Sequence, residues 1–98
     1  MTDPAPQYPV VFSRAEGGRV TIDFPDCPGC ATFAEANEEP IGVAREALEG
    51  WLEAHLDTDQ SPPRPGAISF TPGTQILSVA VSSALSKRLR QHWARIDG

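Results

Sequence analysis

Two cysteines, Cys27 and Cys30, form a Cys-Pro-Gly-Cys sequence. This spacing occurs in redox-active dithiols and in half of many zinc sites. A structural zinc ion takes four Cys or His ligands, and His55 and His92 lack the paired spacing that would complete the set. A redox-active dithiol lies at the start of a helix, because the helix N-terminus lowers the pKa of the first thiol. The residues after Cys30 have instead the composition of a strand. We therefore predict two reduced, partly buried thiols in a turn, with no metal and no cofactor.

Two carboxylates near this turn, Asp23 and Asp26, are candidates for binding a divalent cation. We do not interpret the pair as a metal site, because Asp23 lies on the polar face of a predicted strand. Asp26 is predicted to accept backbone N–H groups within its own loop. The sequence shows neither a nucleophile elbow nor a glycine-rich phosphate loop, since Gly17 and Gly18 join strand to strand. We predict that the protein is not an enzyme; the remaining enzymatic alternative is a metal-dependent nuclease that uses Asp23 and Asp26.

Charge is distributed unevenly along the 98 residues, whose net charge is −5. Residues 1–62 hold twelve acidic side chains and three basic ones, whereas residues 63–98 hold one acidic and five basic ones. The acidic part should repel phosphate backbones and attract a basic partner. The candidates for contact with nucleic acid or with another subunit are Lys87, Arg88, Arg90 and Arg95. The alternative is that the acidic and the basic side chains only keep exposed helix faces hydrated and bind no partner.

The elements that must position these residues follow from hydrophobic periodicity. Residues 8–13 and 19–24 have strand patterns and flank a glycine turn, which predicts a β-hairpin. Residues 30–34 form a short third strand. A helix follows, with Asn37 as its N-cap and its end near Asp57. An apolar stripe recurs along it at three- and four-residue steps: Ile41, Ala44, Leu48, Trp51, Leu52 and His55.

The remainder of the chain is a proline-rich connection at 58–73, a strand at 75–81 and a last helix to residue 97, capped by Ser82 or Ser83. The strand is apolar on both faces, which predicts either a covered strand or an oligomer interface. We therefore expect an α+β fold in which an antiparallel sheet is covered by one long helix and followed by a C-terminal helix. The length and the 40% hydrophobic content indicate one domain over residues 1–98, with a core at about 8–57.

Localisation is predicted from what the sequence lacks. No apolar run approaches the ~18–20 residues that span a bilayer. Residues 1–6 have neither the basic nor the apolar region of a signal peptide. We expect a soluble, cytoplasmic protein with no membrane contact.

The loop between the hairpin and the long helix resembles the signature of the HicB antitoxin family, in which a Phe-Pro-Asp-Leu-Pro-Gly-Cys loop follows a hairpin. The resemblance extends over roughly residues 8–66, including the Pro62-Pro63-x-Pro65 segment. The matching positions are the glycine turn, Phe24, Pro25, Asp26, Pro28, Gly29, Cys30, Thr32, Glu38, Glu39, Ala44, Glu46, Ala47, Leu48, Trp51 and Leu52. The chain departs from the pattern at Cys27, where the family has Leu, at residues 34–36, and at Pro40, where the family has Ala.

The resemblance implies a partial ribonuclease H-like fold without the metal-binding carboxylates, and therefore a protein without catalytic activity. It also implies binding and neutralisation of HicA, a small basic ribonuclease that cleaves messenger RNA and uses a His. The positions that we expect to contact such a toxin are Asp26, Pro28, Gly29, Glu46, Glu49 and Glu53.

Assembly and regulation are further expectations from the resemblance. We expect a homo-oligomer, a dimer or tetramer, formed through residues 75–81 or the last helix. Many members continue into an operator-binding module, which implies transcriptional autoregulation. This chain ends one helix after its last strand, so operator binding by the chain alone is not expected. The alternative function is a solitary HicB-like protein that binds nucleic acid through its basic C-terminal helix.

Overall fold

The secondary structure follows the predicted order of strands and helices. A computed structural model describes residues 6–58, 60–66 and 75–97. The strands are β1 (Gln7–Arg14), β2 (Val20–Asp23), β3 (Ala31–Ala34) and β4 (Gln75–Ala80), and the helices are α1 (Pro40–Asp57) and α2 (Ser83–Asp97). The predicted α+β class is confirmed. The parts of the proline-rich connection at 59 and 67–74 lie outside the described residues, as do positions 1–5 and 98 at the limits of the predicted domain.

The four strands form one antiparallel sheet in the order β3-β2-β1-β4. The predicted hairpin is β1 and β2, with Phe12 opposite Ile22. A single 3₁₀ turn at Glu16–Gly18 joins them, and Gly17 and Gly18 have φ values of 74° and 79° there. A side chain at these φ values would be strained, so glycine is the residue that permits this reversal.

The hydrophobic core lies between one face of the sheet and the helices. Tyr8, Val10 and Ile22 on the sheet are fully buried, and Leu48 and Leu52 of α1 pack into the same cluster. Each such side chain contributes about 1.5–3 kcal/mol through burial. The described core is completed by Phe12, Phe24, Cys27, Cys30, Ala34, Ala44, Val79, Val81, Leu85 and Leu89. Since Leu85 and Leu89 belong to α2, the C-terminal helix packs into the same core that α1 covers.

The start of α1 differs from the prediction. The helix begins at Pro40, and Glu39 occupies the N-cap position without a side-chain capping bond, so the prediction that Asn37 caps the helix is wrong. Pro40 fits the first helical position because its missing N–H needs no partner there. It also disfavours helical backbone in the residue before it, and Glu39 is extended at φ −85° and ψ 110°.

The start of α2 agrees with the predicted serine cap. The Ser82 hydroxyl accepts the Leu85 N–H at 3.3 Å, and the Ser82 C=O accepts the Ser86 N–H at 2.8 Å. The cap is therefore Ser82 and not Ser83. Neither helix, over the residues that the structure describes, is both long enough and apolar enough to cross a membrane.

Candidate protein-binding surface

The loop from Phe24 to Cys30 is a closed double turn. The Cys27 N–H donates to the Phe24 C=O at 3.0 Å, and the Cys30 N–H donates to the Cys27 C=O at 2.9 Å. Gly29 has a φ of 84°, the left-handed value required at the third position of a turn that has proline at the second. Pro28 and Gly29 are exposed at the tip. The loop thus presents a preformed projection from the sheet.

Asp26 ties this loop to a distant part of the chain. Its carboxylate Oδ2 accepts the backbone N–H of Gly66 at 2.6 Å, across a separation of 40 residues. The sequence prediction had Asp26 accepting N–H groups of its own loop; the donor found in the structure is Gly66 instead. A Cβ on Gly66 would lie 3.2 Å from the Asp26 Oδ1, so the glycine allows the close approach.

The described proline-rich residues, 60–66, run as a strap across the sheet and α2. The Tyr8 hydroxyl donates to the Pro63 C=O at 2.6 Å, and the Trp93 indole N–H donates to the Pro62 C=O at 3.0 Å. Pro62 is buried, and the Arg64 guanidinium lies 5.6 Å from the Trp93 ring centroid. Residues 60–66 of the predicted linker are therefore held by specific contacts, which neither composition nor spacing indicated.

The two cysteines are buried free thiols, as predicted. Burial raises the pKa of Cys27 to about 12, with smaller contributions from Cys30 and Asp26, and burial raises the pKa of Cys30 to about 11. Both thiols are therefore protonated at neutral pH, which removes the thiolate that redox or nucleophilic chemistry requires. Among the described residues, no three His, Cys, Asp or Glu side chains cluster as metal ligands.

The acidic side chains of α1 divide into two kinds. Glu49 is half-buried, and its Oε2 accepts the Ser82 N–H at 2.7 Å, so this carboxylate supports the start of α2. Glu46 and Glu53 are exposed, and the described part of the chain offers neither of them an ion-pair partner. Of the three glutamates predicted to contact a partner, these two are the ones open to solvent.

Gly50 lies between these two carboxylates on the outward face of α1, since positions 46, 50 and 53 share one side of a helix. A Cβ added to Gly50 would meet no described atom within 4 Å, so packing within the described part of the chain does not require a glycine there. Cys30 Sγ lies 3.9 Å from the Ala47 C=O, which places the loop along one side of α1, while Ser82 lies along the other at Glu49. The face of Glu46, Gly50 and Glu53 is a flat acidic strip, flanked on one side by the loop.

The basic side chains of α2 differ in their exposure and in their contacts. The Arg88 guanidinium pairs with Asp57 at 2.8 Å, across the junction of the two helices. Arg88 and Arg95 line a cleft of about 390 Å³ with Leu56, Gln91, His92 and Ile96. Lys87 is exposed, and Arg90 is half-buried. Of the four candidate cations, Arg88 and Arg95 thus share one cleft, and Arg88 is already paired with Asp57.

Sequence reasoning missed two contacts within the chain, those of Arg45 and Glu49. Arg45, which lies outside the apolar stripe predicted for α1, donates from Nε to the Ala80 C=O at 3.2 Å. Glu49 supports Ser82 as described above. The only sequence signal for the contact between Glu49 and Ser82 is the pair Ser82-Ser83 before a helical pattern. This pair does not indicate which distant side chain will accept the Ser82 N–H.

Comparison with known proteins agrees with this architecture. A family model described as the HicB-like antitoxin of bacterial toxin-antitoxin systems matches residues 8–76. The crystal structure of the N-terminal domain of Burkholderia pseudomallei antitoxin HicB is similar, with a TM-score of 0.59 and 20% sequence identity. The similarity covers 78% of this chain and 98% of that one. No curated protein sequence matches the chain. At this identity the structural likeness shows a shared fold.

Proposed function

Because the chain belongs to the HicB-like antitoxin family of toxin-antitoxin systems, we propose that it binds and neutralises a small ribonuclease toxin of the HicA type. The observation that carries the proposal is the family match, which spans the hairpin, the loop and the whole of α1. The protein would act in the cytoplasm and would associate with itself.

The proposed contact surface is the acidic strip of Glu46, Gly50 and Glu53 together with the loop tip at Pro28 and Gly29. A nuclease that binds RNA carries a positive surface, and two exposed carboxylates on a flat helix face are electrostatically complementary to it. Gly50 leaves room for the backbone of a partner to approach between the two carboxylates. The net charge of −5 adds long-range attraction that raises the association rate.

The proposed mechanism is occlusion of the toxin. In this mechanism the chain contributes a shaped surface that excludes RNA from the toxin. The loop turns are closed by backbone hydrogen bonds before any partner arrives. A preformed loop loses little conformational entropy on binding, which favours affinity.

Nucleic-acid binding through α2 is the less favoured function. Arg88 is already paired with Asp57, and the acidic strip lies on the neighbouring helix. A protein that used Lys87 and Arg95 for phosphate contact would lose affinity steeply with added salt.

The deciding experiment titrates the chain with a HicA-type toxin encoded beside its gene and reads both binding and residual ribonuclease activity. Stoichiometric binding with loss of cleavage is expected. Reversal variants Glu46→Lys and Glu53→Lys should slow association severalfold at low salt and less at high salt. The matched control is Glu16→Lys, which makes the same charge change on an exposed residue of the hairpin turn.

Two outcomes would count against the proposal. Tight binding to RNA or DNA without toxin binding would favour the alternative function. Equal slowing by Glu16→Lys and Glu53→Lys would show that net charge matters and the acidic strip does not.

A further inference from the structure

Asp26 lies at the junction between the two turns of the loop, directly before Cys27, where the second turn begins. It is half-buried, and its Oδ2 accepts the Gly66 N–H at 2.6 Å. A hydrogen bond to a charged acceptor is stronger than a neutral one and fixes the relative position of the two groups. The side chain of Asp26 is therefore used within the chain before any partner binds.

The strap at 60–66 is stiff between the points where it is held. Pro62, Pro63 and Pro65 each fix one φ angle, and each proline also restricts the backbone of the residue before it. A proline-rich segment of this kind acts as a semi-rigid spacer. A displacement in the first half of the strap should therefore reach Gly66 at its end.

The first half of the strap is attached to the sheet and to α2. The Trp93 indole N–H donates to the Pro62 C=O at 3.0 Å, and the Tyr8 hydroxyl donates to the Pro63 C=O at 2.6 Å. Pro62 is buried, so this attachment is shielded from water. A continuous series of contacts thus joins α2, the sheet and the strap to the loop at Asp26.

From these contacts we propose that Asp26 is a positioning residue. Through the Gly66 N–H and the strap it holds the exposed loop tip, Pro28 and Gly29, in the place from which the tip binds its partner. Asp26 was expected from the sequence to contact the toxin; here its contribution is a hydrogen-bond acceptor and not a charge presented to the toxin. Because the strap also bonds Trp93, α2 takes part in fixing the loop. The role in binding rests on the proposed function, whereas the positioning is a property of the free chain.

Amide hydrogen exchange in the free chain tests the positioning without any toxin. Asp26→Ala removes the acceptor and should speed exchange about tenfold or more at the Gly66 amide and severalfold at the Cys30 amide. Asp26→Asn keeps an acceptor oxygen, and a neutral bond has about half the strength of a charge-assisted one, so exchange at Gly66 should rise only about threefold. The matched control is Asp23→Ala, which removes an exposed carboxylate of β2 and should leave both amides unchanged.

A substitution in α2 tests transmission along the strap. Trp93→Phe removes the donor to the Pro62 C=O and keeps an aromatic ring, so the chain should fold and retain its circular dichroism spectrum. Exchange should still speed up severalfold at the Cys30 amide, because the strap is freed at its other end. Faster exchange at Gly66 with unchanged exchange at Cys30, in both Trp93→Phe and Asp26→Ala, would show that the strap does not hold the loop and would overturn the proposal.

Titration with the HicA-type toxin separates positioning from direct contact. Asp26→Ala should weaken binding severalfold, by a factor that added salt leaves unchanged, because a loop that is no longer preformed must be ordered on binding. Asp26→Asn should restore most of the affinity, to the level of Asp23→Asn, which makes the same charge change. Equal losses in Asp26→Asn and Asp26→Ala that shrink with added salt would show a direct charge contact and overturn the inference.

The two measurements also distinguish this inference from the proposed function. A chain that binds no toxin but shows the expected exchange would reject the proposed function and support the positioning. A chain that neutralises the toxin equally well with Asp26→Ala would support the proposed function and overturn the positioning role.

Discussion

The Glu49 carboxylate accepts the Ser82 backbone N–H at 2.7 Å, so a side chain from the middle of α1 supports the first residue before α2. A helix N-terminus has unpaired N–H groups and a partial positive charge, and a carboxylate satisfies both. One glutamate of an acidic helix thus has a structural role, while its neighbours Glu46 and Glu53 are exposed to solvent.

Removing the Glu49 carboxylate should lower stability. Glu49→Ala is expected to lower the free energy of unfolding by about 1 kcal/mol, because the Ser82 N–H loses its acceptor. Glu46→Ala, three positions earlier on the same helix, should change the free energy of unfolding by less than about 0.5 kcal/mol, because Glu46 is exposed. Urea unfolding followed by tryptophan fluorescence measures both. Equal effects of the two variants would show that the contact contributes nothing.

The strap at 60–66 should depend on its two side-chain donors. Tyr8→Phe and Trp93→Phe each remove the donor to one strap carbonyl, and each should lower the free energy of unfolding by about 1 kcal/mol. The double variant should lose less than the sum, because both bonds hold the same segment. Hydrogen exchange at the Gly66 amide should speed up in both single variants. Strict additivity with unchanged exchange at Gly66 would mean that the two bonds act independently.

Two exposed glycines should respond to alanine in opposite directions. Among the residues that the structure describes, neither position has an atom within 4 Å of an added Cβ. Gly50 lies within α1, so Gly50→Ala should raise the free energy of unfolding by about 0.5–1 kcal/mol. Gly29 has a φ of 84°, so Gly29→Ala should lower it by about 1–2 kcal/mol.

Gly50→Ala also tests the proposed contact surface. If a partner's backbone approaches the acidic strip at Gly50, this more stable variant should bind the toxin more weakly. Unchanged affinity would remove Gly50 from the interface. Binding is measured by titration at a temperature where both proteins are fully folded.

Stability should fall at alkaline pH. Burial raises the pKa of Cys27 to about 12 and of Cys30 to about 11, from an unperturbed value of 9.0, and raises the pKa of the Tyr8 phenol as well. Above pH 9 the unfolded chain loses these protons before the folded chain does, so the stabilisation is complete below pH 9 and decreases between pH 9 and 12.

Melting temperatures measured from pH 7 to pH 11 should therefore fall above pH 9. A Cys27→Ala, Cys30→Ala double variant should be less stable at pH 7, because it loses buried volume. The melting temperature of this variant should nevertheless fall less steeply with pH. Of the three side chains whose pKa is raised by burial, only Tyr8 remains in it. An equal decline in both proteins would exclude the thiols as its cause.

The sequence by itself determined the elements and the loop. Alternation in β1 and β2, the glycines that reverse the chain, and the Pro28-Gly29 turn are local features, whose steric and periodic causes act within a few residues. The family signature is carried by the same local stretch. The uneven distribution of acidic and basic residues could also be derived from the sequence, because it depends only on the number of charged residues in each part of the chain.

Tertiary structure alone decided which residues meet. Tyr8 and Pro63 are 55 positions apart, and Asp26 and Gly66 are 40 positions apart. No local preference of either residue specifies such a partner, because the pairing depends on how sheet and helices pack. The same holds for β4: its apolar sequence fitted a covered strand or an interface, and only the tertiary structure placed it beside β1, at one end of the sheet that the described residues form.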